Sequence, residues 1–268
     1  RGRDGTEFRL VDIYGIDHGV YKDNPGIQPV PGKAVNLSID SKLQALIEEL
    51  FIGKKGAAIC MMPTSGEVLA FVSAPDYDLN SFAGPVPIEL WEGWNSDPEK
   101  PLINRGIQGL YPPGSTFKLL AAALAKEDGV VDKSWTVNCN GVYTLGDRDF
   151  HCWNDAGHGT VNMDKAIYQS CNIYFYQLIQ KLSYKNYTRM AEKFKFGVSS
   201  GIDLLGEKKG LVPEKSYLNR KYGKWGWATG NLLTFVIGQG DVLVTPVQVA
   251  QMMSIIATRG NTKTPHLL

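Results

Sequence analysis

Apolar residues in the first third of the chain are spaced as they are in β-strands. Residues 35–39 alternate between apolar and polar side chains, and this alternation predicts a strand. Two apolar runs, at residues 57–62 and 67–73, lie on either side of the turn-forming stretch 63–66, which predicts a β-hairpin. Because both runs are almost continuously apolar, we expect other elements to cover this sheet on both faces.

Four further segments have apolar residues at the spacing of one helix face. They are residues 43–50, 119–126, 173–183 and 246–258. Asp40 or Ser41 is suited to cap the first of these helices, and Pro246 occupies a first-turn position that tolerates proline in the last. Strands and helices in separate runs predict an α+β fold, with helices packed on a sheet and an additional helical subdomain.

The composition is that of a folded protein with a substantial core. Of 268 residues, 43% are hydrophobic, which supports one large domain with a short appendage. Residues 1–32 are rich in glycine, proline and charge, so we predict an extended arm there and a domain over residues 33–268. The formal net charge is only +1, so we expect no nucleic-acid partner. No apolar run reaches the length of about 18 residues that predicts a transmembrane helix.

A Pro-Pro-Gly turn at residues 112–114 delivers a serine to the start of the helix predicted at residues 119–126. Ser115 follows the turn, and Lys118 comes three residues later. Side chains at i and i+3 are neighbours on a helix surface, so the Lys118 amine can reach the Ser115 hydroxyl. The helix N-terminus favours a developing negative charge, and the arrangement therefore suits nucleophilic acyl transfer. The alternative is an ordinary helix start followed by a solvated lysine.

A second polar motif, Ser170-Cys171-Asn172, is the only Ser-x-Asn sequence of the chain. It directly precedes the amphipathic segment 173–183. A second serine can relay a proton to a leaving group, and an asparagine can orient a lysine and a substrate amide. The alternative is a Ser/Asn helix cap that has no part in chemistry.

Three of the four cysteines lie near a histidine in the sequence. Cys139, Cys152, His158 and Cys171 offer three thiolates and one imidazole, which make a closed tetrahedral zinc set. The segment between them is short of apolar residues, so it needs a cross-link to hold its shape. A Cys139–Cys152 disulfide is the alternative that the same residues allow. Cys60, in an apolar strand, is most simply a small buried side chain.

The two polar motifs together resemble those of the penicillin-binding proteins. Pro-Pro-Gly-Ser-Thr-Phe-Lys, residues 112–118, is similar to the first motif of that family, and Ser-Cys-Asn, residues 170–172, is similar to the second. Other similar stretches occur in the family's order, at residues 1–5, 56–70, 73–80, 104–109, 238–240 and 245–248. The similarity extends over nearly the whole chain, and it is greatest to the monofunctional class B transpeptidases of cell elongation, the penicillin-binding protein 2 group.

This resemblance implies a penicillin-binding transpeptidase fold, related to that of serine β-lactamases, with an accessory pedestal ending near residues 1–5. It implies a D,D-transpeptidase that cross-links peptidoglycan stem peptides and is acylated by β-lactam antibiotics. Ser115 would be the nucleophile, Lys118 the base and Ser170 a proton shuttle, while Asn172 would orient Lys118 and the substrate. No cofactor is implied for this chemistry. The resemblance also implies a metal near the second motif, as in some relatives, and this favours a structural zinc over the disulfide.

The resemblance also implies a cellular setting. The family normally works in the bacterial periplasm, where an N-terminal segment anchors it in the inner membrane. Such an anchor would precede Arg1. The implied partners are peptidoglycan stem peptides, β-lactams, and the elongation-complex proteins RodA and MreC.

One motif of the family does not occur in the chain. In the family, Lys-Thr-Gly lies on the edge strand beside the cleft, and the nearest sequence here is Lys263-Thr264-Pro265. Proline cannot donate to a strand ladder, and this stretch follows the predicted helix 246–258 too closely. We therefore expect a chain cut short at Leu268, lacking a strand that would supply an oxyanion N–H and groups for the substrate carboxylate. The activity of these 268 residues by themselves is left open.

Two other functions fit the first two motifs. A class D-like β-lactamase or a β-lactam sensor shares them, but it would be a smaller domain without the arm at residues 1–32 or the long loop at 74–104. A truncated domain could instead serve as a non-catalytic interaction module. Rapid β-lactam hydrolysis would indicate the first of these alternatives, and an intact fold without acylation would indicate the second.

Overall fold

Strands dominate the chain up to Ala74 and helices the remainder, apart from four short strands between residues 137 and 161. In the computed structural model, which describes residues 2–268, the strands are β1 (Thr6–Glu7), β2 (Arg9–Val11), β3 (Asp17–Val20), β4 (Gly26–Ile27), β5 (Gly56–Met61), β6 (Val68–Ala74), β7 (Val137–Cys139), β8 (Val142–Leu145), β9 (Arg148–His151) and β10 (Gly159–Val161). The helices are α1 (Ser41–Phe51), α2 (Ile88–Ser96), α3 (Arg105–Gln108), α4 (Lys118–Glu127), α5 (Met163–Tyr168), α6 (Asn172–Ile179), α7 (Tyr184–Lys193), α8 (Lys215–Tyr222), α9 (Thr229–Val236) and α10 (Pro246–Ala257). This mixture of helices and antiparallel strands confirms the predicted α+β fold.

The described residues up to Leu37 form one compact unit made of two antiparallel strand pairs. β1 pairs with β4, and β2 pairs with β3. The predicted arm over residues 1–32 therefore contains paired strands. Arg1, and with it part of the predicted end of a pedestal at residues 1–5, lies outside the described residues.

The strand predicted at residues 35–39 is wrong. These residues adopt neither helix nor strand, and residues 31–37 are exposed. Alternation shows which side chains can share a face, but a strand also needs a neighbouring backbone to pair with. Single hydrogen bonds take the place of a ladder here: the Ser38 N–H donates to the Leu267 carbonyl at 2.8 Å.

A second compact unit, Ser38–Leu267, contains the predicted hairpin. β5 and β6 pair antiparallel, with Gly56 opposite Ala74 and Cys60 opposite Ala70, which confirms that prediction. α1 packs along β6, while α3 and α10 pack on β5. β6 alternates buried and half-buried residues, and no residue of β5 is fully buried. No residue of either strand is exposed, so the sheet is covered on both faces as expected, although the cover is complete only over alternate residues of β6.

Four observed helices correspond to the predicted ones. α1 begins after Asp40, whose carboxylate accepts the N–H groups of Lys42 and Leu43 at 2.9 and 3.1 Å. α4 and α10 lie within one residue of the predicted bounds, whereas α6 already ends at Ile179. Among the helices of residues 2–268, none is both long and apolar enough to cross a bilayer.

Most buried apolar residues form a single cluster around the helices of the second unit. Its largest fully buried side chains are those of Phe117, Tyr174, Phe175, Tyr187 and Phe196. In this cluster α4 packs against α5, α6 and α7. The start of α4 therefore lies beside the start of α6, although the two are more than fifty residues apart in sequence.

Candidate active site

Ser115 lies in a 3-10 turn, Gly114–Phe117, that runs directly into α4. Pro113 precedes the turn with helical angles of φ −70° and ψ −16°, which the proline ring favours. The Gly114 N–H donates to the Gly238 carbonyl at 3.0 Å. Gly238 has a φ of +69°, and a Cβ there would lie 2.2 Å from the Gly114 oxygen, so this contact requires glycine. The turn leaves Ser115 exposed at the N-terminal end of α4.

Lys118 is the first residue of α4, and its side chain is buried, with only 2% of the residue exposed. Its Nζ donates to the Ser170 carbonyl at 2.8 Å, to the Ser170 Oγ at 3.0 Å and to the Asn172 Oδ1 at 2.7 Å. The Phe175 ring lies 5.7 Å from the same nitrogen. The amine is therefore held by three oxygen acceptors beside an apolar ring.

The environment of Lys118 moves its pKa toward neutral pH. Burial lowers the pKa of Lys118 from 10.5 to about 8, because an enclosed site disfavours the charged amine. The thiols of Cys152 and Cys171 act in the opposite direction and limit the shift. A base is most useful when its pKa lies near the working pH, so Lys118 is suited to accept a proton.

Ser170 connects Lys118 with Ser115. Its Oγ donates to the Ser115 Oγ at 2.8 Å and accepts the Lys118 Nζ–H at 3.0 Å. In the part of the chain that the structure describes, no hydrogen bond joins Lys118 to Ser115 directly. The direct contact expected from the i, i+3 spacing is therefore replaced by a contact through Ser170. Ser170 adopts a φ of +53°, which is uncommon for a residue other than glycine and occurs often at functional sites.

Asn172 begins α6 and holds Lys118 through its side-chain oxygen. The amide nitrogen of the same side chain donates to the His151 carbonyl at 3.2 Å, and the backbone N–H of Asn172 contacts the Cys152 Sγ at 3.4 Å. The end of β9 therefore orients the amide that orients Lys118. Sequence reasoning missed His151, since a backbone carbonyl leaves no signal in the sequence.

The four candidate zinc ligands come together directly behind the second motif. One ligand atom from each of Cys139, Cys152, His158 and Cys171 lies within 4.8 Å of all the others. The Nδ1 of His158 is 3.5 Å from both the Cys139 Sγ and the Cys152 Sγ. The three cysteines are buried free thiols. Cys171 is also the N-cap residue of α6, so the cluster is continuous with the segment that carries Ser170 and Asn172.

Backbone contacts close the loop that carries this cluster. The His158 N–H donates to the Cys139 carbonyl at 3.0 Å, and the Cys152 N–H donates to the Gly141 carbonyl at 2.8 Å. Gly157 has a φ of +78°, and a Cβ there would lie 2.1 Å from the Cys139 oxygen. Only glycine allows the chain to pass so close to the end of β7.

The chemistry of these donors fits zinc. Zn–S bonds of about 2.3 Å place two sulfurs of a tetrahedral site about 3.8 Å apart, so a modest contraction of the cluster would suffice. Burial lowers the pKa of His158, and the charges of Lys165 and Lys118 lower it further. The imidazole is therefore held in the neutral form that a metal ligand requires.

One aromatic residue beside the cluster was not singled out from the sequence. Trp153 is 65% exposed, yet its indole N–H donates to the Gln169 carbonyl at 2.9 Å. Its ring lies 5.3 Å from the His158 ring in an edge-on arrangement. In the sequence, the position of Trp153 directly after Cys152 was the only indication that it lies beside the cluster.

Comparison with known families identifies the class of protein that builds this site. The family described as "Penicillin binding protein transpeptidase domain" matches residues 56–268, a range that includes both polar motifs. The chain belongs to the penicillin-binding protein transpeptidase family. The family and the fold that the two motifs implied are thereby confirmed.

Individual members of the transpeptidase family are similar over most of the chain. The peptidoglycan D,D-transpeptidase MrdA of Acinetobacter baumannii is 36% identical over 242 residues, which are 90% of this chain and 36% of that protein. The structure of Pseudomonas aeruginosa PBP2 in complex with WCK 5153 has a TM-score of 0.83 at 37% identity, covering 90% of this chain and 55% of that one.

A second solved structure extends the comparison to nearly the whole chain. Helicobacter pylori PBP2 in its complex with MreC has a TM-score of 0.84 at 31% identity, covering 99% of this chain and 49% of that one. The chain therefore spans about a third to a half of the length of these relatives.

Proposed function

We propose that the chain carries the active site of a peptidoglycan D,D-transpeptidase that works in cell elongation. The proposal rests on the hydrogen-bonded series Lys118–Ser170–Ser115, in which a buried amine with a lowered pKa is linked to an exposed hydroxyl at the start of a helix. Such a series suits acyl transfer by a serine nucleophile. Membership of the transpeptidase family and the similarity to MrdA support a stem peptide as the acyl donor.

In the first half of the proposed reaction, the Ser115 Oγ attacks the carbonyl between the two terminal D-alanines of a stem peptide. The hydroxyl proton moves to Ser170, whose own proton moves to the neutral Lys118 amine. When the C–N bond breaks, the departing D-alanine amine takes a proton back through Ser170. Ser115 is left as an ester with the shortened stem peptide.

In the second half, an amine of a neighbouring stem peptide attacks this ester. Ser170 and Lys118 accept the proton that the amine loses and return it to the Ser115 oxygen, which leaves as the hydroxyl. A new peptide bond then joins the two stems. The partial positive charge at the N-terminal end of α4 favours the oxyanions formed in both halves. Asn172 keeps the Lys118 amine within reach of Ser170 throughout.

The lifetime of a β-lactam adduct separates this function from its nearest alternative. A D,D-transpeptidase should form a long-lived ester with penicillin, whereas a class D-like β-lactamase should hydrolyse it rapidly. A non-catalytic interaction module should form no ester. One labelling experiment with a chromogenic or fluorescent β-lactam therefore distinguishes the three.

The decisive test is fluorescent penicillin labelling of the protein with two neighbouring variants. Ser115→Ala should abolish the label, because it removes the attacking oxygen. Thr116→Ala is the matched control and should keep the label, since the Thr116 hydroxyl is exposed and donates to the Pro113 carbonyl at 2.8 Å. A label that survives in Ser115→Ala, or one that turns over in seconds, would contradict the proposed function.

We further propose that Cys139, Cys152, His158 and Cys171 hold a structural zinc ion. The support is the convergence of four ligand atoms within 4.8 Å and the neutral state of His158. Bound zinc would supply a tetrahedral cross-link for the loop and no catalytic step. Purified protein should contain about one zinc per chain, and acidification should release it because the thiolates take up protons. Metal-free protein with a Cys139–Cys152 disulfide would favour the other interpretation.

The remaining features of the resemblance are proposals of the same kind. We place the domain boundary near residue 32, with an arm before it and the transpeptidase domain over residues 33–268.

Similarity to a PBP2 that was solved with MreC supports MreC, and with it RodA, as elongation partners. We propose the bacterial periplasm, at the inner membrane, as the location, because the proposed substrate is peptidoglycan. Penicillin labelling of intact cells, compared with labelling of a cytoplasmic fraction, tests the location.

A further inference from the structure

The cluster of three thiols and one imidazole has a second chemical capability that zinc binding does not use. Cys139 and Cys152 both approach the same atom, with each Sγ 3.5 Å from the His158 Nδ1. They lie on adjacent backbone segments, since Cys139 ends β7 and Cys152 follows β9. No cluster atom is more than 4.8 Å from any other, so the two sulfurs are close enough to react after small movements.

The third thiol is less free to move. Cys171 is completely buried as the N-cap residue of α6, and its N–H donates to the Ala166 carbonyl at 2.9 Å. Its backbone is therefore fixed at the start of a core helix. Cys139 and Cys152 are also buried, with 1% and 3% of each residue exposed, but they end β7 and follow β9, respectively, beside the partly exposed His158 and the exposed Trp153. Of the residues around the cluster, these last two lie nearest to solvent, so a small oxidant would reach the sulfurs from their side.

We propose that Cys139 and Cys152 are a site of reversible oxidation, at which a peroxide converts the two thiolates into a disulfide and releases the zinc. This inference rests on the proposed zinc site, and it makes the zinc cluster and the disulfide two redox states of one set of residues. The oxidant belongs to the class of small peroxides, with hydrogen peroxide as the simplest member.

The reaction takes two electrons from the sulfurs. One thiolate attacks a peroxide oxygen, so that an S–O bond forms, the O–O bond breaks and hydroxide leaves. The second thiolate attacks the resulting sulfenic acid, so that an S–S bond forms and the second oxygen leaves as hydroxide. Two sulfurs are oxidised and one peroxide is reduced. Zinc, left with two ligands, dissociates.

The disulfide changes the contacts of the catalytic motif. An S–S bond of about 2.05 Å requires the two sulfurs to move together from the spacing of about 3.8 Å in a tetrahedral zinc site. The Cys152 Sγ accepts the backbone N–H of Asn172 at 3.4 Å, and the Asn172 side chain holds the Lys118 amine. Drawing this sulfur toward Cys139 loosens the start of α6. We therefore expect oxidation to slow acylation of Ser115.

The test treats the zinc-containing protein with hydrogen peroxide and measures three quantities. A chromogenic chelator should report one zinc released per disulfide formed. Non-reducing peptide mass spectrometry should find Cys139 joined to Cys152. The rate of fluorescent penicillin labelling should fall about 10- to 100-fold, the loss typical of disturbing a shell that orients functional groups. Dithiothreitol followed by zinc should restore all three.

Two variants provide the controls. Cys60→Ser should respond to peroxide like the unmodified protein, because Cys60 lies in β5 outside the cluster. Cys139→Asp keeps a possible zinc ligand but has no sulfur for the bridge, so peroxide should leave its own labelling rate unchanged. A bridge that involves Cys60, a sulfinic acid without any bridge, or a Cys139–Cys152 bridge with an unchanged labelling rate would each overturn the proposal.

The same measurements separate this inference from the zinc proposal. Purified protein with neither zinc nor the disulfide would contradict the metal site, and with it the release of zinc, but not the formation of the bridge. The metal-free protein can then be oxidised in the same way, and formation of the Cys139–Cys152 bridge with a slower labelling rate would still support the redox site. Retention of zinc after complete oxidation of Cys139 and Cys152 would overturn the redox inference alone.

Discussion

At the scale of single residues, the left-handed backbone of Ser170 determines which side chains of the site meet. With φ at +53°, its carbonyl and its hydroxyl both face Lys118, and the hydroxyl also reaches Ser115. The Ser170 carbonyl and the Asn172 side chain hold the amine from the same chain segment. The strain at Ser170 is thus compensated by three short hydrogen bonds.

Replacement of Lys118 tests its role as the base. Lys118→Ala should reduce the second-order rate of penicillin acylation by about 10²- to 10⁴-fold, because no other amine reaches Ser170 within the described residues. Lys126→Ala changes an exposed lysine in the same helix and should have no effect. Stopped-flow or gel-based labelling gives both rates. A near-normal rate in Lys118→Ala would remove Lys118 from this role.

The pH dependence of acylation follows from the pKa of the same residue. The folded-state pKa of Lys118 is about 8, below its usual 10.5, so the amine becomes neutral as the pH rises through 8. Only the neutral amine can accept a proton. The acylation rate should therefore increase about tenfold per pH unit below 8 and level off above it. Measurement over the range of protein stability checks this, and a flat profile would contradict it.

At the scale of elements, the loop from β9 to β10 is shaped by close backbone contacts more than by apolar packing. Within it, the His158 N–H donates to the carbonyl of Cys139 at the end of β7, and Gly157 passes against the same carbonyl. The loop in turn positions the His151 carbonyl, which orients Asn172. Stability of this loop and geometry of the second motif should therefore change together.

Two glycines of this loop offer a matched comparison. Gly157→Ala introduces a Cβ about 2.1 Å from the Cys139 carbonyl oxygen, at a φ of +78°. Gly159→Ala has a similar φ of +65° but no atom within 4 Å of the new Cβ. Gly159→Ala should therefore carry only the backbone cost of about 1 to 2 kcal/mol. Gly157→Ala should lower the melting temperature more and weaken metal retention. Equal melting temperatures would contradict the role given to this contact.

At the scale of the whole molecule, the described residues divide into two compact units. The first contains the strand pairs up to Leu37, and the second, Ser38–Leu267, contains both polar motifs and the cysteine cluster. Residues 31–37 between the strand pairs and Ser38 are exposed and lack regular structure. Such a segment is where proteases cut first, because its backbone can enter a protease cleft without unfolding anything else.

Limited trypsin digestion tests this division. Cleavage after Lys33 should precede cleavage after Lys126 of α4 and Lys193 of α7, since the helix lysines require local unfolding. A fluorescent penicillin label on Ser115 should remain with the larger fragment. Lys33→Gln should remove the early cut without altering the rate of labelling. Helix lysines that are cut as fast as Lys33 would argue against a separately folded second unit.

Local chemistry made several features predictable from the sequence. The helices α1, α4 and α10 and the β5–β6 hairpin follow from apolar spacing, caps and turn residues within a few positions of one another. The two polar motifs and the set of three cysteines and one histidine were likewise recognisable, because few kinds of functional site combine these residue types. The strand predicted at residues 35–39 failed, since a strand depends on a partner that the local sequence does not contain.

The sequence by itself therefore determined the secondary-structure pattern, the family and the residues that are candidates for catalysis and metal binding. Tertiary structure decided how those residues are connected. Packing of α4 against α6 puts Ser170 between Lys118 and Ser115, and it encloses Lys118 so that its pKa falls to about 8. Packing of α6 against β7 and β9 brings Cys171 to Cys139 and Cys152. Burial and long-range distance depend on every neighbour of a side chain at once, so no stretch of sequence specifies them alone.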